Sequence, residues 1–168
     1  MNRHTITVDN NLINSKQKNE TMNLLESWHC QGIVEMFKTD VMDTEFECID
    51  TFRNKSKKYR EDVGIGVWGH SRWDHCLWGS ENDGNEMDEI RGLLFPGQKK
   101  LSDRQIRDAM HLHTHIKYKR DYFITSDNHF LSKSEEIKER YGAVVIKPEQ
   151  LVEILRDKVD EGGDPGAR

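Results

Sequence analysis

Short β-branched and apolar runs alternate along this chain with stretches patterned for helix, and this limits the fold more than any other feature. Thr5 to Val8, Ile33 to Phe37, Tyr122 to Thr125 and Ala143 to Ile146 are each four to five residues long and bounded by polar or turn residues. Runs of that length read as buried strands. Between the first two lies Lys16 to His29, where Met22, Leu25 and Trp28 recur at three-residue spacing as on an amphipathic helix. Parallel strands need crossover connections, and helices in those crossovers cover both faces of the sheet. The expected fold is a three-layer α/β/α sandwich with a central, mainly parallel sheet.

After the second strand, Thr39 to Thr44 offers several helix caps, and a polar helix is predicted from there through about Arg60. The pattern then breaks. Residues 62–98 hold many glycines and the stretch VWGHSRWDHCLW, followed by a helix-like segment, Glu86 to Phe95, stopped by Pro96-Gly97. This segment reads as an insertion with its own hydrophobic anchor. Ser102 with Gln105 forms a capping box, so a helix should run from there to about Arg120, with Lys117, Lys119 and Arg120 suiting its C-terminal dipole. Ser134 to Tyr141 and Pro148 to Lys158 complete the helices. One domain over 1–160 follows, with 161–168 as a frayed tail.

Composition supports a single domain and restricts its partners. A chain of 168 residues is large enough for one core. Hydrophobic residues make up only 35% of it and its mean hydropathy is -0.86, which agrees with a long polar insertion. Cys30, Cys48 and Cys76 show no paired spacing, and no apolar N-terminal stretch resembles a signal or a membrane span, so a reducing, cytoplasmic location without membrane contact is expected. The net charge of -5 argues against a general electrostatic grip on nucleic acid, so any such contact must be local.

Four acids fall where open parallel sheets place their sites, outside the carboxyl ends of the strands. Asp9 ends the first strand, and Glu45 is expected in the first turn of the helix after the second. Asp108 lies in the capped helix, and Asp127 follows the Tyr122 to Thr125 strand. Gathered carboxylates repel one another, and a hard divalent cation relieves the conflict. Mg²⁺ or Mn²⁺ takes oxygen ligands and keeps waters, which suits phosphodiester hydrolysis. With 30 acidic residues in the chain, chance placement is the competing explanation.

These residues also carry a family resemblance. VDNNL, TEF at Glu45, SDRQIRDAMHLHTHI around Asp108, DYFITSDNHF around Asp127 and YGAVVIKPEQLVEIL together look like a PIN domain, in the correct order at both ends of the chain. The central stretch GVWGHSRWDHCLWGSENDGNEMDEIRGLLFPG resembles an insertion in a bacterial subgroup of that family. The resemblance implies a Mg²⁺- or Mn²⁺-dependent endoribonuclease with an RNA substrate. Such nucleases are often the toxin of a toxin–antitoxin pair, so an antitoxin-like protein partner and a homo-oligomer are also implied. Conventional toxins of the family are shorter and lack the tryptophan-rich segment. The competing classes are a non-catalytic PIN-like module that binds RNA or protein, and a metal-dependent phosphatase or DNA flap nuclease.

Other residues carry both a functional and a plainer reading. Asn11 could orient a metal-bound water or serve as a turn residue. Thr125 and Ser126 could contact phosphate or simply make the turn. Asp121, Asp157 and Asp160 read as surface charges away from the cluster. His111 and His115 share a helix face with Asp108 at a spacing that can bind Zn²⁺, although no cysteine pair completes a set and buried, satisfied imidazoles are the commoner outcome. His113 projects elsewhere. His70 and Arg72, interleaved with Trp68, Trp73 and Trp78, could stack bases and meet phosphate, or the tryptophans could anchor the insertion. Arg53, Lys55, Lys57, Lys58 and Arg60 could track a nucleic-acid backbone or decorate a solvated helix end. The metal-site reading requires Asp9, Glu45, Asp108 and Asp127 to converge at one edge of the sheet.

Overall fold

The structure, a computed structural model, describes residues 3–13, 19–45, 49–72 and 74–161, with 44 and 157–161 in backbone only. Five strands form one sheet: β1 (His4–Val8), β2 (Val34–Thr39), β3 (Arg60–Asp62), β4 (Tyr122–Ile124) and β5 (Val144–Ile146). Their order is β3-β2-β1-β4-β5, and every pairing is parallel. The three-layer sandwich expected from the alternation is thus the architecture observed. Connections from β1 run outward to β2 and β3, and the chain then returns to place β4 on the other side of β1. The strand order therefore reverses between β1 and β4, where α/β sheets open a crevice.

Side chains alternate across the sheet with the period of two that a strand imposes. On one face Ile6, Val8, Val34, Met36 and Ile124 pack with Met22, Leu25 and Trp28 of α1 (Glu20–Cys30) and with Leu151, Val152 and Leu155 of α8 (Pro148–Glu161). On the other, Phe123 and Val145 meet α4 (Glu81–Leu94), α5 (Asp103–Tyr118), α6 (Asn128–Leu131) and α7 (Ser134–Tyr141). Each fully buried large apolar side chain here stabilises the fold by roughly 1.5–3 kcal/mol.

Several elements match the sequence closely, and others depart from it for identifiable reasons. The capping box of α5 forms in both directions between Ser102 and Gln105, and Ser134–Tyr141 has the bounds expected. The single polar helix expected through Arg60 is instead two short helices, α2 (Asp40–Glu45) and α3 (Asp50–Ser56), followed by β3. A three-residue edge strand reading Arg-Glu-Asp has no apolar signature; it forms because β2 offers it a free pairing edge. Glu45 accordingly closes a short helix rather than opening a long one.

The segment 62–98 also differs from its expected form. Ser80 caps α4 through a capping box with Asp83, so that helix begins earlier than the apolar pattern implied. Its Met87, Ile90, Leu93 and Leu94 are buried against the α5 side of the sheet. Trp68 and Trp78, expected as a hydrophobic anchor, are 81% and 90% exposed; Trp73 lies outside the described residues. Asp121 sits exposed at the amino edge, where it accepts hydrogen bonds from the backbone N–H of Thr5 at 2.7 Å and from its hydroxyl at 2.9 Å. The side chains of Asp157 and Asp160 lie outside the described residues. Among the described residues no helix is long and apolar enough to cross a membrane.

The buried face of α5 is unusual in carrying imidazoles. His115 pairs through Nδ1 with Thr7 Oγ1 at 2.8 Å and meets Phe123 edge-on, with ring centroids 5.4 Å apart. Burial pushes its pKa down to about 3, with the nearby Arg120 acting in the same direction. Folded His115 therefore stays neutral between about pH 3 and the ordinary value of 6.5, where the unfolded side chain takes up a proton. Stability should fall as pH drops through that window, by up to about 1.4 kcal/mol per pH unit from this residue alone. Denaturant unfolding of wild type and His115→Gln between pH 7 and 4 checks this. The variant should show the flatter dependence, and equal slopes would refute the assignment.

Candidate metal site at the sheet switch point

Asp9 follows β1 at the reversal of strand order, and its backbone N–H continues the ladder by donating to Ile124 O at 3.0 Å. Its carboxylate does not cap the short 3₁₀ turn Asn10–Leu12 that follows, which leaves it to face the crevice. It is 1% exposed. Oδ2 accepts a hydrogen bond from the Thr125 hydroxyl at 2.6 Å, whereas Oδ1 is buried without a partner. Thr125 in turn accepts from Asn11 Nδ2 at 3.2 Å and from the backbone N–H of Asp127 at 2.9 Å. The loops after β1 and β4 are thus tied together across the switch point.

The other three acids come from separate elements. Asp108 is 6% exposed on α5, and its pKa is raised to about 6, chiefly by burial and then by the negative charge of Asp9; Asp127 adds to the rise while His111 and Arg104 oppose it. Asp9 is also raised, by burial first and further by Glu45, against the pull of His111 and Thr125. Each acid therefore feels at least one of the others.

Glu45 and Asp127 are compensated by the protein itself. Burial alone would raise Glu45, but His111 Nε2 at 3.2 Å, Asn10 Nδ2 and the more distant Arg107 hold its pKa low. Burial likewise opposes ionisation of Asp127, yet its pKa is lowered by hydrogen bonds from the N–H of His129 at 2.9 Å and its ring Nδ1 at 3.0 Å, with Arg104 at 3.3 Å. His111 is fully buried, and its Nδ1 meets the Thr39 hydroxyl. Burial disfavours its charge, but Glu45, Asp9 and Asp108 together raise its pKa.

Charge coupling thus links Asp9 with Glu45 and with Asp108, and Asp108 with Asp127, while of the four only Asp108 and Asp127, together with Asn11, line an open cleft. Thr125 is fully buried and its hydroxyl is committed to Asp9, so it orients the carboxylate instead of meeting phosphate. Ser126 is exposed and lines this cleft of about 630 Å³ with Asn11, Arg104, Asp108, Asp127 and His129. His70 and Arg72 do not line this cleft; they lie in the loop between β3 and α4. Of the basic run, Lys58 pairs with Glu26 and Arg60 with Glu35.

Arg104, Arg107 and Asn10 joined the site unannounced. For Arg104 the signal was the spacing RQIRD, which sets it one helical turn before Asp108; Arg107 and Asn10 reach Glu45, a contact that no local spacing records.

Among the described residues, no group of three or more His, Cys, Asp or Glu side chains is placed so as to hold a metal ion. Glu45 is hydrogen-bonded to His111, and Asp127 to the N–H of His129. The donor set still fits a hard cation. It consists of carboxylate oxygens, with Asp9 Oδ1 buried and unsatisfied and Asp108 short of positive charge.

A scan of the chain against protein-family models finds no match, and a search of the curated proteins finds none.

If Asp108 serves a cation, Asp108→Asn should leave the metal-free protein as stable as wild type or slightly more so, because like-charge repulsion is relieved. Excess Mn²⁺ should raise the wild-type melting midpoint, by an amount near 2.7 kcal/mol in stability at about 100 times Kd, and the variant should lose most of that rise. Melting curves of both proteins with chelator and with Mn²⁺ decide it. Equal metal shifts would remove Asp108 from the site.

Proposed function

We propose that this protein is a metal-dependent endoribonuclease that hydrolyses phosphodiester bonds at the crevice between β1 and β4. The observation that carries the reading is the unsatisfied, buried Oδ1 of Asp9 beside Asp108, since native proteins rarely leave a buried carboxylate oxygen unpaired without a use for it. Asp9 and Asp108 would hold Mg²⁺ or Mn²⁺, with Asp127 and Glu45 at its margin. Bound there, the ion would polarise the phosphate and lower the pKa of an attacking water.

The chain's own residues prepare that site in distinct ways. Thr125 and Asn11 orient Asp9, and His111 and Arg107 keep Glu45 ionised. Arg104, 73% exposed along its side chain at the cleft rim, supplies local positive charge to a phosphate in an otherwise acidic protein. Ser126 and Asn128 leave the floor of the cleft polar and open to solvent. The choice of RNA, a toxin role and an antitoxin-like partner are inferences from the motif resemblance to PIN domains.

Incubation of end-labelled single-stranded RNA with Mn²⁺ or Mg²⁺ should give 5′-phosphate and 3′-hydroxyl products. Cutting should cease with chelator and fall at least a hundredfold in Asp9→Asn. Cyclic phosphate ends would overturn the mechanism in favour of histidine acid–base chemistry, because the ribose 2′-hydroxyl would then be the nucleophile. Metal binding without cleavage of RNA or DNA would favour a binding module.

A further inference from the structure

The loop between β3 and α4 builds a second, separate site. Two of its indoles, Trp68 and Trp78, are 81% and 90% exposed, whereas the other exposed large apolar side chains among the described residues reach only about 40%. Both rings wall a slot of about 200 Å³ whose remaining surface includes Val67, Cys76 and Leu77. A contiguous apolar exposure of this kind marks an interaction surface.

The slot is preformed. Leu77 donates to Gly64 O and accepts from the Gly66 N–H, both at 2.9 Å, and the Val67 N–H donates to Ser71 Oγ at 2.9 Å. His75 ties the loop to Glu61 on β3. At Gly66 a Cβ would come within 2.7 Å of Cys76 Sγ, so only glycine lets the two halves of the loop approach this closely.

Charge decides what fits. The loop and α4, residues 63–94, contain Arg72 and Arg91 against six acids, Asp74, Glu81, Asp83, Glu86, Asp88 and Glu89, a net of -4 in a chain of net charge -5. Most of the acidic surplus therefore lies on this loop and the helix that follows it, where Asp83 is paired with Lys117, Asp88 with Arg91 and Glu86 with His113. Glu81, Asp88 and Glu89 are exposed. The first turn of α4 abuts the slot, with Asp83 Cβ 3.6 Å from where a Cβ on Gly79 would lie. Arg72, the cation within the loop itself, already lies 3.9 Å from Asp74. Phosphate is repelled by such a surface, and a cation over an indole face is attracted.

We infer that the Trp68–Trp78 slot and the acidic start of α4 dock a lysine- and arginine-bearing segment of a partner polypeptide, with a cationic side chain stacked on the indoles. This requires no catalysis at the β1–β4 crevice, so it stands or falls independently of the nuclease reading.

A fluorescein-labelled (Arg-Leu-Lys)₄ peptide tests it by anisotropy at physiological ionic strength, with the full chain. Wild type should bind it. Trp68→Ala/Trp78→Ala should weaken binding at least tenfold with an unchanged melting midpoint, Trp68→Phe/Trp78→Phe should retain most of it, and Glu81→Gln/Asp88→Asn should weaken it several-fold. A glutamine-substituted peptide should not bind, and replacing the indoles by alanine should leave the response to a 20-nucleotide poly(U) unchanged. Peptide binding that is absent, or indifferent to the tryptophans, overturns the inference. So does poly(U) binding that is lost with the indoles, which would make the slot a base-stacking platform. Self-association abolished by the alanine variant would identify the occupant as a second copy of the chain and overturn it equally.

Discussion

The hydrogen bond from Thr125 to Asp9 joins the two halves of this molecule at the only place where the strand order reverses. Asp9 ends the central strand, and Thr125 ends the strand that the chain reaches only after five intervening helices. Closing that contact commits one oxygen of a buried carboxylate and leaves the other unpaired. Asn11 steadies the threonine, and Asp127 enters its helix through an N–H bound to the same hydroxyl.

The four acids fall into two electrostatic classes, and the division follows from where the basic side chains lie. Glu45 and Asp127 sit beside His111, Arg107, Arg104 and His129 and remain ionised. Asp9 and Asp108 are the more deeply buried and are pushed up. A polypeptide gains nothing from sustaining such a pair unless a cation or a proton joins it, since burial and mutual repulsion act together against both charges. The same helix shows the contrast: one and two turns beyond Asp108, His111 and His115 are both matched to threonines on β2 and β1, and His115 has become a neutral core residue. Identical spacing on one helix face thus serves a site at one level and packing at the next.

Polarity is distributed unevenly over the surface as well. The basic run between Arg53 and Arg60 is absorbed in part by Glu26 and Glu35, and the acidic excess gathers on the loop and helix after β3. Two exposed indoles in the midst of that excess lie on the β3 side of the sheet, apart from the cleft that Asp108 and Asp127 line. One small domain therefore carries two chemically different surfaces.

What the sequence determined by itself was the parallel α/β sandwich, the capped helix from Ser102 and the placement of Asp9 after β1 and Asp127 after β4, at the carboxyl edge. Apolar runs and capping residues act locally, and in a parallel sheet they dictate which strand ends share a side. That placement could be read because each acid stands just past a strand whose direction is set. Other outcomes were decided only in three dimensions. Arg-Glu-Asp became a strand because β2 offered an unpaired edge, although nothing in those residues favours one. Trp68 and Trp78 lie outward, and it is Met87, Ile90, Leu93 and Leu94 of α4 that pack into the core on the α5 side. Which carboxylates are neutralised and which are left wanting charge depended on the reach of Arg104, Arg107 and His111. That is a matter of distances between helices and loops far apart in the chain, and a linear pattern does not record them.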